Sequence, residues 1–556
     1  MRRLASVITL VLCAPGFIAG AAQEPHQHAV QGQSPSQGAH LLPGMGSYHH
    51  PIATKSEQAQ RFFDQGLTLV FGFNHQEAIR SFETAAKLDP LAVMPLWGIA
   101  YALGPNINMP VSPENEKQAY ATIQKALALS EKAPENEKAY VQALSRRYSD
   151  DAAADLDQLS LNYAHAMGEL SRRYPDDLDA ATLYAESMMD LRPWKLYDLE
   201  GKPVEGTEEI VAVLESVLKR DPNHPGANHY YIHAVEASRD PQKALPSAQV
   251  LQTLVPGAGH LVHMPAHIYA RTGNYSQAAS SNAKAAEADR EYLKATGTMG
   301  SLYSLMYYGH NLHFLAYAAT LDGRYDEARK AAGDVVALAS PAIKEMPMAE
   351  FVLPTPFFVA LRFADWDSIL KSPEPSAQTP TTRALWRFFR GMALATQGKP
   401  ELAVPERKTF GELSALAPQH APYSGTGLTT AGEILAVAGF ALDARIASAQ
   451  GDWKTAIESW QKAVKAQDRL AYDEPPAWFY SLRESLGGEY FRAGQMADAE
   501  KTFREDLEKH PRSPRSLLGL MESLKAQGKS VDAEWVAREL KNAWKGTTPP
   551  PPVSSL

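Results

Sequence analysis

The sequence predicts an all-α protein of stacked helix pairs, and two observations support this prediction. Between about residues 56 and 543, apolar residues recur at helical spacing between short turns, without a convincing alternating strand pattern. Small and aromatic residues also recur there with a period of about 34 residues. A chain of 556 residues is too long for one compact core, and stacked repeats accommodate that length.

The clearest repeat lies between Phe62 and Pro90. Its small and aromatic positions are Gly66, Ala78, Phe82 and Ala85, and a second good copy carries Leu486, Gly487, Tyr490, Ala499, Phe503 and Pro511. Weaker copies are centred on Gly98, Ala244, Ala278, Ala328, Ala403, Ala456 and Ala533. Small residues let two antiparallel helices approach closely, and the aromatic rings fill the space between repeats.

These offsets resemble the tetratricopeptide repeat (TPR) family over most of residues 56–543. The resemblance implies a TPR-type α-α superhelix, which is a right-handed solenoid of antiparallel helix pairs. The runs GFNH, LGPNIN, NHYYIHAVE and HMPAHIY are also similar to a group of exported bacterial TPR proteins. That second resemblance implies no established activity.

The N-terminus is typical of a secretory signal. Arg2 and Arg3 precede an apolar stretch that ends in the small residues Ala19-Gly20-Ala21, so we expect residues 1–21 to be removed on export. The mature protein is then periplasmic or secreted, with no membrane anchor. It also has no thiolate ligand, because Cys13 lies within the signal.

Composition indicates the limits of the linker and the tail and argues against several functions. Residues 22–55 read as a low-complexity His/Gln/Pro linker and residues 544–556 as a proline-rich tail. A net charge of −9 without basic runs argues against nucleic acid as a partner. No Walker loop, HExxH or G-x-S-x-G motif is present, and we expect no nucleotide cofactor.

Two long loops interrupt the repeats, near residues 104–116 and 192–206. Long loops inside a repeat whose helices are otherwise joined by short turns either pack over a groove and contribute to function, or are tolerated insertions. The sequence leaves both interpretations open.

Histidines supply the strongest functional signal. His229 and His233 are one helical turn apart, as are His263 and His267, and the two pairs are 34 residues apart. The next repeat adds His310 and His313. The TPR resemblance places all six on the concave face, with Glu186 and Glu236 as neighbouring carboxylates.

Histidines with one or two carboxylates suit copper, zinc or iron. Our first hypothesis is therefore a metal-binding groove, either a binding site alone or a metalloenzyme. Two ions with three imidazoles each would resemble a coupled two-copper arrangement, whereas a single zinc ion with an open position would favour hydrolysis. The alternatives are a scaffold that docks a peptide or envelope protein in the groove, and histidines that are merely hydrogen-bonded within the core.

Overall fold

The structure is a computed structural model that describes residues 39–547 and 549–555. Within these ranges the chain is helical, and β structure is limited to three isolated bridges. No helix in the described part is both long and apolar enough to cross a bilayer. The predicted signal peptide and the first part of the predicted linker lie outside the described residues.

The α-helices follow one another through the chain, and most of the connections between them are short. The first thirteen are α1 (Glu57–Phe71), α2 (His75–Leu88), α3 (Met94–Leu103), α4 (Pro113–Ser130), α5 (Glu135–Leu144), α6 (Leu156–Arg173), α7 (Leu178–Met189), α8 (Thr207–Arg220), α9 (Pro225–Val235), α10 (Leu245–Leu254), α11 (Gly259–His263), α12 (Pro265–Arg271) and α13 (Tyr275–Thr296). The remainder are α14 (Gly309–Asp322), α15 (Tyr325–Ala339), α16 (Thr355–Arg362), α17 (Trp366–Lys371), α18 (Pro380–Thr396), α19 (Pro400–Leu416), α20 (Ala431–Ala449), α21 (Trp453–Gln467), α22 (Leu482–Arg492), α23 (Met496–Lys509), α24 (Pro514–Ala526) and α25 (Ser530–Ala543). Each packs mainly against its neighbours in the chain, which confirms the predicted superhelix of helix pairs.

Close packing explains the small residues of the repeat. The ring of Phe82 lies between Gly66 and Gly98, where an added Cβ would approach ring atoms to 2.5 Å and 2.8 Å, respectively. Phe503 lies between Gly487 and Gly519 in the same way. The predicted alanine positions are buried as well: Ala78, Ala244, Ala278, Ala328, Ala403, Ala456, Ala499 and Ala533. The small and aromatic positions of the repeat therefore serve the close packing of helix pairs.

Both ends of the predicted solenoid carry packed segments. Residues 39–55, the described part of the predicted linker, lie on the helices: Ile52 is buried, and the amide of Leu42 donates to Gln65. In the tail, the amide of Lys545 donates to the carbonyl of Asp322, and Val553 is buried. A few apolar and hydrogen-bonding residues thus order segments whose overall composition resembles a linker.

A segment between α21 and α22, residues 470–480, crosses to helices far away in the chain. The Tyr472 hydroxyl lies 3.0 Å from an oxygen of Glu236, next to α9, and the ring of Phe479 stacks on His313 of α14. These contacts place the segment beside the predicted histidine groove.

Candidate metal centre

Four helices bring histidines to one place. His229 and His233 belong to α9, His263 to α11, His267 to α12 and His310 to α14. Because Pro265 starts α12, the chain breaks between α11 and α12 rather than forming one straight helix. His260, three residues before His263, belongs to the same cluster.

The cluster consists of two neighbouring trios. One contains His229, His233 and His260, and the other His263, His267 and His310; within each trio, one ligand nitrogen per residue lies within 4.8 Å of the others. The Nε2 atoms of His229 and His260 are 3.1 Å apart. The Nε2 atom of His263 lies 2.7 Å from that of His267 and 3.1 Å from that of His310.

The trios are also next to each other. The ring centroids of His233 and His267 are 5.6 Å apart, and those of His260 and His263 are 5.7 Å apart. Two ions held by the two trios would therefore be immediate neighbours.

Hydrogen bonds from Nδ1 to fixed acceptors orient several of the imidazole rings. His229 donates through Nδ1 to the carbonyl of Phe71 at 2.6 Å. His263 donates through Nδ1 to Asn282 Oδ1 at 2.6 Å, and the Asn282 amide nitrogen donates to the carbonyl of Ala278. A carbonyl oxygen accepts only, so both rings carry their proton on Nδ1 and present an Nε2 lone pair to the centre.

Glu236 joins the two trios. Its carboxylate accepts from His233 Nδ1 at 2.6 Å through one oxygen and from His267 Nδ1 at 2.5 Å through the other. Burial alone would raise the pKa of Glu236, but His267 and His233 outweigh burial and hold the pKa well below its usual range. The ionised carboxylate in turn raises the pKa of His267, although burial opposes this. Glu236 thus positions two candidate ligands instead of joining either trio itself.

This orientation leaves the centre rich in lone pairs. The Nε2 atom of His233 has no hydrogen-bond partner among the described residues although it is buried. The Nε2 atoms of His263 and His267 face each other at 2.7 Å, and two lone pairs repel at that distance unless a cation or a proton lies between them. An imidazolium proton on His267 would satisfy that contact, but it would leave His233 unpartnered.

Burial makes protons poor occupants of most of the cluster. It lowers the pKa of His263 well below its usual range, and the neighbouring His310 and His267 lower it further. Burial and then His229 do the same to the pKa of His260. Neutral imidazoles of this kind are the form that binds a metal ion.

Besides Glu236, two predicted residues lie outside the trios. His313 faces Phe479 and Phe351, with ring centroids 5.5 Å and 5.6 Å away, and burial lowers its pKa to about 3. Glu186 lies with Asp190 beside Arg147, and burial and then Asp190 raise its pKa well above the usual range. The structure thus brings together five of the six predicted histidines and places Glu186 elsewhere.

Several contributors had not been predicted. His260 departs from the 34-residue spacing, and its signal in the sequence is its place one turn before His263. The turn between α1 and α2 contributes the Phe71 carbonyl and the ring of Phe73, whose centroid lies 4.6 Å from that of His229. The GFNH run forms this turn, which reaches the centre because α1 packs against α9.

A cavity that opens to solvent adjoins both trios. The two predicted loops reach it, because Asn108 and Trp194 contribute to its wall and Trp194 meets the His233 ring edge-on at 5.2 Å. Both loops therefore pack over the site, which was one of the two interpretations left open by the sequence.

Segment 470–480 brings two buried acids to the cavity, Asp473 and Glu474. Burial raises the pKa of each to about 7. Tyr472 has one proton and two carboxyl neighbours, Glu236 at 3.0 Å and Glu474 at 2.9 Å. Because Glu236 is ionised, it accepts the hydroxyl proton of Tyr472, and the proton in the hydrogen bond between Tyr472 and Glu474 comes from Glu474. A hydrogen-bonded chain therefore runs from the cavity to Glu236.

A separate group of His50, Asp177 and Asp179 also has metal-ligand spacing. Its atoms are occupied, however: Asp179 accepts from His50 at 2.6 Å and from Tyr48 at 2.5 Å, and Asp177 accepts from Tyr140 at 2.9 Å. These hydrogen bonds fasten residues 39–55 to α7, and we interpret the group as a structural anchor.

No protein-family model matches the sequence, and no curated protein matches it. Yeast Tom70 is similar at 12% identity over 87% of this chain and 90% of its own, with a TM-score of 0.29. A human IFIT1 dimer with PPP-AAAA is similar at 12% identity over 88% of this chain and 91% of its own, with a TM-score of 0.32. The APC/C hetero-tetramer Cut9-Hcn1 is similar at 12% identity over 89% of this chain and 78% of its own, with a TM-score of 0.29. Similarities at this level carry no argument about the site.

Proposed function

We propose that this chain is an exported metalloprotein in which helical repeats hold two neighbouring transition-metal ions, each bound by three imidazoles. One observation carries the proposal: ligand nitrogens of six histidines converge in two trios, while the opposite nitrogens of four of these rings donate to fixed acceptors. Metal-binding histidines are oriented in this manner by their other ring nitrogen.

Copper fits this donor set best. The trios contain nitrogen alone, with no thiolate and no carboxylate among the converging atoms. Imidazole suits copper, zinc and iron, and for a given nitrogen site copper binds most tightly of the three. Zinc or iron in the same trios is the other outcome that metal analysis would reveal.

The cavity favours an enzyme over a storage site. A protein that only stores metal needs no opening beside the ions, whereas small-molecule sites are typically apolar cavities with a few polar groups. This cavity has that character, and its wall includes His233, His260, His267 and His310. We therefore propose that the ions act on a small molecule bound there.

The first experiment is elemental analysis of untagged protein purified without metal-affinity resin. We expect close to two copper ions per chain in the wild type and a loss of tight binding in the His233→Ala/His267→Ala variant, which removes one ligand from each trio. His313→Ala is the matched control, because His313 is buried near the centre but belongs to neither trio. Metal content unchanged in the double variant, or protein that refuses added metal, would overturn the proposal.

A protein-interaction scaffold is the second candidate, since superhelices of helix pairs commonly present binding surfaces. The described structure limits this role, because His229, His233, His263 and His267 are buried and cannot meet a docked peptide without rearrangement. Pull-down from an extract with and without EDTA separates the two functions. A specific partner retained in EDTA, by protein that holds no metal, would favour the scaffold.

A further inference from the structure

The cavity beside the trios has a largely apolar wall. Its apolar and aromatic residues include Trp194, Leu305, Tyr307, Leu338, Met346 and Phe351. No lysine or arginine contributes to the wall in the described residues. Such a wall favours a ligand whose body is apolar, since its burial removes apolar surface from water.

Two carboxyl groups interrupt this wall. Glu474 uses Oε1 in its bond with Tyr472, while its Oε2 has no hydrogen-bond partner among the described residues. Asp473 accepts through Oδ1 from the amide of Thr426 at 3.2 Å, and its Oδ2 is likewise without a partner. The two residues are 6% and 5% exposed, so solvent does not compensate these oxygens.

A buried acceptor without a partner destabilises the fold, so native structures normally satisfy such atoms. Here two of them belong to one short segment that lines the cavity. A ligand with an O–H or N–H group would satisfy them, whereas a ligand that carries a carboxylate would place acceptors against acceptors.

We propose that the cavity binds an apolar, ring-bearing small molecule through a hydroxyl or amine group that donates to Glu474 and Asp473. Trp194, Tyr307 and Phe351 provide aromatic surfaces for the ring. The claim that this ligand is the substrate of the metal centre rests on the function proposed above. The claim that the ligand binds does not, because the oxygens that accept its hydrogen bond belong to the protein.

Isothermal titration calorimetry with three matched ligands tests this specificity. The ligands are 4-ethylphenol, which has a donor, 4-ethylanisole, in which a methyl group replaces the donated proton, and 4-ethylbenzoate, which is an anion. In metal-free wild-type protein we expect the phenol to bind at least about tenfold more tightly than the anisole, as loss of one buried hydrogen bond implies. We expect no measurable binding of the benzoate.

Variants assign the preference to the carboxyl group. Glu474→Leu removes both oxygens and should bring the affinities for phenol and anisole to within about twofold of each other. Glu458→Leu, an exposed residue of α21, is the matched control and should keep the wild-type ratio. Equal binding of phenol and anisole by the wild type, or binding of the benzoate, would overturn the inference whether or not Glu474→Leu folds.

The same titrations with metal-loaded protein keep the two proposals separate. Phenol selectivity in a protein that takes up no metal would support this inference and remove the metal centre. Stoichiometric metal without selectivity would leave the metal centre standing and remove the inference.

Discussion

Glu236 acts through hydrogen bonds to His233 and His267, at 2.6 Å and 2.5 Å. A carboxylate offers two acceptors and no donor, so it fixes the Nδ1–H tautomer of both rings at once and directs both Nε2 atoms to the centre. One acidic side chain therefore sets the orientation of a ligand in each trio. Its negative charge also partly offsets the positive charge of bound ions.

Replacement of this residue gives our prediction at the residue scale. In Glu236→Gln, the amide oxygen can accept from one histidine, while the amide nitrogen faces the other donor and forces its ring to turn. We expect metal affinity to fall by about 10–100-fold, the usual effect of losing such a support. Competition with a chelator of known affinity measures the change.

Glu209→Gln is the control for this prediction, because Glu209 is an exposed residue of α8 that bonds Tyr184 at 2.7 Å. It should retain wild-type affinity. If Glu236→Gln also bound metal as tightly as the wild type while remaining folded by circular dichroism, the carboxylate would not position the ligands.

Helix packing sets the distances between these residues at the scale of elements. The helices that carry the histidines pack on neighbouring helices at small residues. α11, α12 and α14 pack on α13, and α14 also packs on α15, where Ala278 of α13 and Ala328 of α15 have no exposed surface. Phe82 shows how tight this packing is, since its ring fills the gap between Gly66 of α1 and Gly98 of α3 and is completely buried. A methyl group added at Gly66 has no space.

A pair of glycine substitutions tests this packing. Gly66→Ala places a Cβ 2.5 Å from the enclosed Phe82 ring, and we expect it to lower the free energy of unfolding by about 1–3 kcal/mol. Gly333→Ala on α15 meets nothing within 4 Å and should instead add about 0.5–1 kcal/mol through helix propensity. Urea titrations of both variants measure the two signs. A neutral or stabilising Gly66→Ala would contradict the packing argument.

The sequence was informative where a rule is local or periodic. Helix pairs, small positions and five converging histidines follow from spacings of 3, 4 and about 34 residues, and these spacings can be read from the amino-acid sequence alone. His260 did not follow, because the positions 34 residues before and after it are Gly226 and Lys294 and not histidines. The Phe71 carbonyl was equally inaccessible, since a backbone oxygen has no signature in the sequence.

Long-range contacts complete the site at the scale of the whole molecule. Tyr472 bonds Glu236 across 236 residues of chain, and His229 bonds the Phe71 carbonyl across 158 residues. Regular stacking of neighbouring repeats does not require such contacts, so the repeat pattern could not predict them. Residues 39–55 add a third connection, because this segment contacts α1 through Asp64 and α7 through Asp179.

The anchor of this segment predicts how stability depends on pH. Burial lowers the pKa of His50, but its hydrogen bond with Asp179 and the negative charge of that residue outweigh burial and raise the pKa to about 9. A raised pKa means that the charged His50 stabilises the fold fully below its unfolded pKa of about 6.5, and that this contribution is lost as the pH rises through about 9. The facing groups Asp64, Asp177, Asp179 and Glu137 are acids, so a higher pH only keeps them charged.

We therefore expect the contribution of His50 to the free energy of unfolding to fall by about 3 kcal/mol between pH 6.5 and pH 10, by the usual 1.4 kcal/mol per pKa unit. Urea titrations across this range measure the fall, and hydrogen exchange should show that residues 39–55 lose protection first. His50→Gln cannot gain or lose a proton and should flatten the profile, whereas His49→Gln, on the exposed side of the same segment, should keep the wild-type slope. An equal slope in His50→Gln would show that this ion pair does not fasten the segment to the helices.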